Sequence, residues 1–224
     1  MSLVLSLESS TSVCSVALHE DGELIIEREV HEPQAAAALL TPMIEGLFQS
    51  TGLLRNQLSA VAVSSGPGSY TGLRIGVSTA KGICFALDLP LITLDSLHVL
   101  ASAVSPKGDG RWLCPMIDAR RMEVYTCLLT ETLEVVEATR PVIVDEQSFG
   151  TILESHRIDF FGNGATKCEA VIRHPNATFM SGLYPRAASM GLLAFRKLGA
   201  GEFADVRNFE PAYLKEFAIK TKKA

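Results

Sequence analysis

The run Ser65-Gly66-Pro67-Gly68-Ser69-Tyr70-Thr71-Gly72-Leu73-Arg74-Ile75-Gly76 constrains the fold more than any other part of the chain. Ala60 to Ser64, just before it, is short, apolar and β-leaning, whereas from Thr71 onward the apolar residues Leu73, Ile75, Val77, Ile83 and Leu87 recur at helical spacing. A buried strand must therefore reverse sharply into a long helix. Pro67 fixes φ, Gly66 and Gly68 accept left-handed or crowded backbone, and Ser69 or Thr71 can cap the first amides of the helix.

Two known phosphate loops can be tested against this stretch, because each sets glycines at fixed offsets so that main-chain amides converge on an anion. Neither fits. The residue five beyond Gly66 is Thr71, and no Lys-Ser or Lys-Thr follows, which excludes a Walker loop. The dinucleotide pattern fails at the same place, where Thr71 stands for the third glycine, and Pro67 removes one N–H from any anion nest. Two readings stay open: an anion at a helix N-terminus, or glycines that let strand and helix pack closely.

Gly72, Gly76, Ala80 and Cys84 fall four apart and form one ridge with almost no side-chain height. Glycine inside a helix costs about 1 kcal/mol relative to alanine, so Gly72, Gly76 and Gly82 in one helix imply a return in packing. A neighbour within the same domain and a second subunit satisfy the ridge equally.

With 224 residues the chain can form one domain or two small lobes, and 47% hydrophobic with 20% charged residues is an ordinary globular balance. No apolar run reaches the ~18 residues that span a bilayer. The start, Met1 to Leu7, lacks a basic segment and soon meets Glu8, so it reads as a strand, and a cytoplasmic protein with no membrane partner is expected. Cys14, Cys84, Cys114, Cys127 and Cys168 show no C-x-x-C spacing and suit reduced core thiols. A formal charge of −5 argues against a self-sufficient nucleic-acid binder. The tail Lys220, Lys222, Lys223 is locally basic and reads as a solvated end.

Leu3 to Leu7, Val13 to His19 and Glu23 to Val30 read as strands, followed by a helix from about Pro33 to Ser50 with an apolar stripe of Ala36, Leu39, Leu40, Met43 and Leu47. After the strand at 60–64 and the glycine-ridge helix come a strand at Leu91 to Leu94 and a helix from Ser96 to about Ala103. This order predicts an α/β protein with a mixed sheet flanked by helices. Ser105-Pro106-Lys107-Gly108-Asp109-Gly110 is the clearest linker, dividing lobes at 1–104 and 105–224. In the second lobe, strands are expected at Trp112 to Ile117, Glu123 to Leu129, Pro141 to Val144 and Ile158 to Phe161, with helices near Glu146 to Ser155 and Ala187 to Leu198. Both halves open with adjacent strands, but no sequence repeat is strong enough to establish duplication.

Reactive constellations are scarce. His19, His31, His98, His156 and His174 include no i, i+4 pair, so the helical two-histidine metal grip is absent. Ser69 does not fit a G-x-S-x-G elbow, because Pro67 occupies the first glycine position. Glu8 and Asp118 each end a first strand and could hold a hydrated metal across a cleft; the plainer reading is that each bonds nearby amides.

Taken together, Leu3-Val4-Leu5-Ser6-Leu7-Glu8-Ser9-Ser10-Thr11 with Cys14-Ser15-Val16-Ala17-Leu18, the stretch Gly66 to Gly76, Asp118-Ala119-Arg120-Arg121-Met122-Glu123-Val124-Tyr125 and Pro211-Ala212-Tyr213-Leu214 resemble the bacterial TsaB family over essentially the whole chain. The resemblance implies a two-lobed actin-like, sugar-kinase-like (ribonuclease H-like) fold. It implies a noncatalytic subunit that supports threonylcarbamoyl transfer to adenosine 37 of tRNAs reading codons that start with A. The implied partners are the catalytic paralogue, an ATPase subunit, a second copy of the chain when alone, and tRNA only indirectly. The paralogue carries two metal-binding histidines where this chain reads Leu94-Asp95-Ser96-Leu97-His98-Val99-Leu100-Ala101-Ser102. No cofactor is implied except nucleotide or Mg at a composite interface. The family usually has Asp where this chain has Glu8. The implied docking surface is the helix pair, with Ala36, Leu39, Leu40, Met43, Leu47, Gly72, Ile75, Gly76, Thr79, Ala80 and Ile83, and the resemblance turns the glycine ridge toward the intersubunit reading. The enzymatic alternative, an ATP-dependent phosphotransferase, would use Glu8, Ser9, Ser10, Gly66, Gly68 and Asp118. A protease acting on the partner is a third possibility for which the sequence offers no nucleophile, base or metal pair.

Overall fold

The computed structural model describes residues 1–32 and 35–214. The expected helix start at Pro33 and the basic tail Lys220, Lys222, Lys223 lie outside the described residues. Along the chain run β1 (Leu3–Glu8), β2 (Cys14–Glu20), β3 (Glu23–Val30), α1 (Ala35–Thr51), β4 (Leu58–Gly66), α2 (Tyr70–Leu87), β5 (Leu91–Asp95) and α3 (Ser96–Ala101). The second series is β6 (Trp112–Asp118), β7 (Glu123–Thr130), β8 (Val135–Ile143), α4 (Gly150–Leu153), β9 (Ile158–Phe161), α5 (Ala165–Cys168), β10 (Ala177–Met180) and α6 (Gly191–Ala200).

Two five-stranded mixed sheets result, in the orders β3-β2-β1-β4-β5 and β8-β7-β6-β9-β10. In each, the first three strands are antiparallel and the last two join the first strand in parallel. The halves therefore share one topology, which the sequence had not established. β1 is central and covered on both faces, so all six of its residues are buried and it lacks alternation. The edge strand β3 carries Glu23, Glu27, Arg28 and Glu29, charges that discourage further pairing.

Between the halves, α3 inserts Leu97, Leu100 and Ala101 against Leu113, Ile117, Cys127, Leu129 and Phe161. Asp95 caps α3 through the amide of Leu97 (2.7 Å) and also accepts from the Thr139 hydroxyl of β8 at 2.8 Å. The expected linker is tied down: Asp159, fully buried in β9, receives Arg111 at 2.7 Å and Lys107 at 3.1 Å, and Glu131 accepts the Lys107, Gly108 and Arg111 amides.

Several expectations change. β8 starts at Val135, well before Pro141, because its exposed edge tolerates a proline and shows no buried alternation. The helix expected near 146–155 shortens to Gly150–Leu153, and β10 and α5, only four residues each, carry too little periodicity to read. The lobe boundary of 105–224 also changes. From Ala187 the chain passes through a 3-10 turn into α6 and returns to the first sheet, where Ala187, Met190 and Ala194 pack with Val4, Ala17, Ala60, Ala62, Ile92 and Leu94. Ala187 N donates to Ser15 Oγ (2.8 Å), Ala204 N to Leu91 O (2.8 Å) and Ala212 N to Ser65 O (2.8 Å). The first lobe is thus completed by the end of the described chain. No helix among the described residues is long and apolar enough to cross a membrane.

Candidate functional site

The glycine loop is where the first lobe folds onto itself. Ser69 caps α2 by accepting from Gly72 N (3.3 Å), as the sequence predicts. Its own amide donates to Ser10 O at 2.7 Å, so the turn between β1 and β2 occupies an amide that an anion would otherwise take. Ser9 Oγ donates to Gly72 O at 2.8 Å. A Cβ on Gly68 would collide with Ser10 O, on Gly72 with Ser9 O, and on Gly76 with Ser9 Oγ. Gly66, at φ +108°, would place its Cβ 2.8 Å from Ala212 O of the returning segment. These glycines exist because backbone from two other parts of the chain lies directly on them.

Glu8 closes the same turn from beneath. It is fully buried, and its carboxylate accepts the Ser10 amide at 2.6 Å and the Ser64 hydroxyl. Burial pushes its pKa up, and the hydrogen bonds from Ser10 and Ser64 only partly oppose that. Asp118 is the topological counterpart at the end of β6, but it is exposed. It pairs with Lys167, accepts the Arg120 amide at 2.9 Å, and donates its own N–H to Asn163 Oδ1 at 3.0 Å. The metal-bridging expectation for Glu8 and Asp118 is corrected accordingly, since a sealed carboxylate presents no ligand to a cleft. The strand-ending reading holds for both. Among the described residues no group of three or more His, Cys, Asp or Glu side chains is placed to hold a metal ion.

The ridge Gly72, Gly76, Ala80 and Cys84 is buried inside the chain, against the Ser9-Ser10 turn and β4. Ala36, Leu40, Met43 and Leu47 of α1 belong to the core cluster beneath that helix. As surface residues these expectations are corrected: periodicity identified the inward face of each helix. Leu39, Ile75, Thr79 and Ile83 are half-buried, with Ile75 and Ile83 leaning on the core. Facing outward are Ala37, Ala38, Thr41 and Glu45 of α1 and Arg74, Ser78, Gly82 and Phe85 of α2. Phe85 is 77% exposed, the largest apolar side chain on the outer face of α2. It was legible in principle, because it sits next to Cys84 and off the apolar stripe.

At the start of α2, Arg74 lies 5.1 Å from the Tyr70 ring centre and donates to Tyr70 Oη at 2.8 Å, while Tyr70 packs on Tyr213 with ring centres 4.7 Å apart. Thus two segments of the family resemblance, the glycine stretch and Pro211 to Leu214, are one contact in space.

Architecture and site define an actin-like two-lobed protein whose first-lobe loop is filled by its own backbone. Residues 33–180 match the family described as TsaD: tRNA N6-adenosine threonylcarbamoyltransferase. The chain belongs to that family and, within it, to the bacterial TsaB branch. Its relatives include the tRNA threonylcarbamoyladenosine biosynthesis protein TsaB of Escherichia coli, 27% identical over 95% of this chain and 94% of that protein. The Haemophilus influenzae protein of the same name is 38% identical over 54% of this chain and 51% of its own length, so the chain aligns to about half of that relative. Among solved structures, YeaZ from Pseudomonas aeruginosa matches with TM-score 0.80 and 28% identity over 96% of this chain and 100% of that one. The ADPNP-bound activator of the 2-hydroxyisocaproyl-CoA dehydratase from Clostridium difficile, at 11% identity and TM-score 0.50 over 90% and 96% of the two chains, shares the fold.

Proposed function

We propose that this chain is a noncatalytic binding subunit in the synthesis of threonylcarbamoyladenosine on tRNA, docking the catalytic threonylcarbamoyltransferase through the outer face of α1 and α2. The observation that carries the proposal is the filled glycine loop. Among the described residues, Ser10 O takes the Ser69 amide and the buried Glu8 carboxylate takes the Ser10 amide and the Ser64 hydroxyl, so these groups of the loop serve the fold. What α1 and α2 offer outward is the exposed Phe85 among small residues (Ala37, Ala38, Thr41, Ser78, Gly82) with Glu45 and Arg74 also exposed, the form of a docking anchor. The names carried by its relatives supply the process. The ATPase subunit binds once the pair has formed, and a second copy uses the same face when the catalytic partner is absent.

The test is co-purification and threonylcarbamoyl transfer with the catalytic paralogue. Phe85→Glu should leave the chain folded and reduce partner affinity more than tenfold, with transfer falling in parallel. Wild-type chain that neither binds nor activates the paralogue would refute the reading. Gly76→Glu is unsuitable as a probe, because its side chain would enter the space of Ser9.

A further inference from the structure

The turn joining β6 to β7 holds two arginines in a conformation that side chains avoid: Arg120 has φ 70° and Arg121 φ 52°. Asn or Gly would relieve both positions. The turn is rigid, with Ala119 N donating to Glu123 O at 3.0 Å and Glu123 N to Arg120 O at 3.2 Å. From below, Lys167 Nζ donates to Arg121 O (2.7 Å) and Glu123 O (2.6 Å) while pairing with Asp118. Of the carboxylates beside the turn, Asp118 pairs with Lys167, Asp145, which follows the Val144 amide bonded to Met122 O, accepts from Ser148 and Gln147, and Glu123 also has an interaction of its own. Both arginines are exposed, and neither guanidinium forms an ion pair among the described residues.

We propose that Arg120 and Arg121 contact the phosphodiester backbone of the RNA handled by the complex, an inference that rests on the role in tRNA modification proposed above. Guanidinium forks match phosphate oxygens. On the turn itself only the two arginines project, since Ala119 and Met122 are half-buried; the exposed Ile143 lies on the neighbouring strand, opposite Glu123. Phosphate contacts need only projecting cations. The overall charge of −5, which argues against a self-sufficient nucleic-acid binder, is compatible with one local contact added to a binding surface supplied elsewhere.

The experiment uses the full chain reconstituted with the catalytic transferase and its ATPase, an unmodified tRNA transcript as probe, and two double variants. Arg120→Gln with Arg121→Gln removes charge; Arg120→Asn with Arg121→Gly removes charge and relieves the backbone. Both should assemble normally without RNA, and the second should melt no lower than wild type. Both should weaken tRNA binding about tenfold and flatten its salt dependence by about 1 to 2 in log–log slope. Unchanged affinity and slope in an assembled complex would overturn the inference alone. Lost assembly without RNA would overturn it in favour of an acidic protein surface. Wild-type components that fail to assemble would overturn the functional reading, and this inference with it.

Discussion

The two lobes are built on one strand order yet treat the same turn in opposite ways. In the first, the residues after β1 are sealed: Glu8 and Ser10 are fully buried, Ser9 nearly so, and the glycine loop closes over them. In the second, the residues after β6 stand open, with Asp118, Arg120 and Arg121 exposed, while the loop Gly162-Asn163-Gly164 packs beneath on the backbone of β6 and Asn163 Oδ1 accepts the Asp118 amide. A shared framework thus carries a structural plug in one half and a presented charge in the other. The difference lies in side chains and not in topology.

Breaking the plug should have the largest effect. Gly68→Ala drives a Cβ into the Ser10 carbonyl, which cannot retreat without tearing β1 from α2, and should cost about 3 kcal/mol or more in urea denaturation. In the corresponding loop of the second lobe Gly162, at φ +98°, is as confined, since an added Cβ would collide with Met116 O, but Gly164 is less so: its Cβ would lie 3.0 Å from Ile117 C and Val124 Cγ1 and 3.1 Å from Asp118 N. Gly164→Ala should cost about 1 kcal/mol. Equal losses would mean that Gly164 is as tightly confined as Gly68.

A smaller effect sharpens the contrast between the carboxyls. Burial raises the pKa of Glu8 above its ordinary 4.5, so the folded state holds a proton that the unfolded state has released. That contribution is fully present below the unfolded value and is lost as pH rises through the folded one. Glu8→Gln does not titrate. Its stability relative to wild type should therefore rise with pH across that window, as followed by urea midpoints at a series of pH values. A relative stability that falls with increasing pH would show that the hydrogen bonds outweigh burial.

Much of the first lobe was legible, because its strands are apolar runs bounded by turn residues and α2 follows a proline–glycine reversal. The cap at Ser69 and the strand-ending role of Glu8 were readable for the same local reasons. What faces a helix was not. The spacing of Gly72, Gly76 and Ala80 marks a low ridge, but Ser9, some sixty residues earlier, is what fills it. Likewise the stripe of Leu40, Met43 and Leu47 marks the core side of α1 and says nothing of its outer side. The return of Ala187 to Ala212 depends on Ser15, Leu91 and Ser65, contacts between residues far apart in the chain. The left-handed backbone at Arg120 and Arg121 had no signal, since sequence rules expect Gly or Asn there.

The filled loop is tested most directly by titrating ATP with magnesium into the purified chain in a calorimeter. Because Ser10 and Glu8 already occupy the cradle, no saturable heat is expected at submillimolar nucleotide. Submillimolar binding that disappears in Glu8→Ala would contradict the account and return the first lobe to the phosphotransferases.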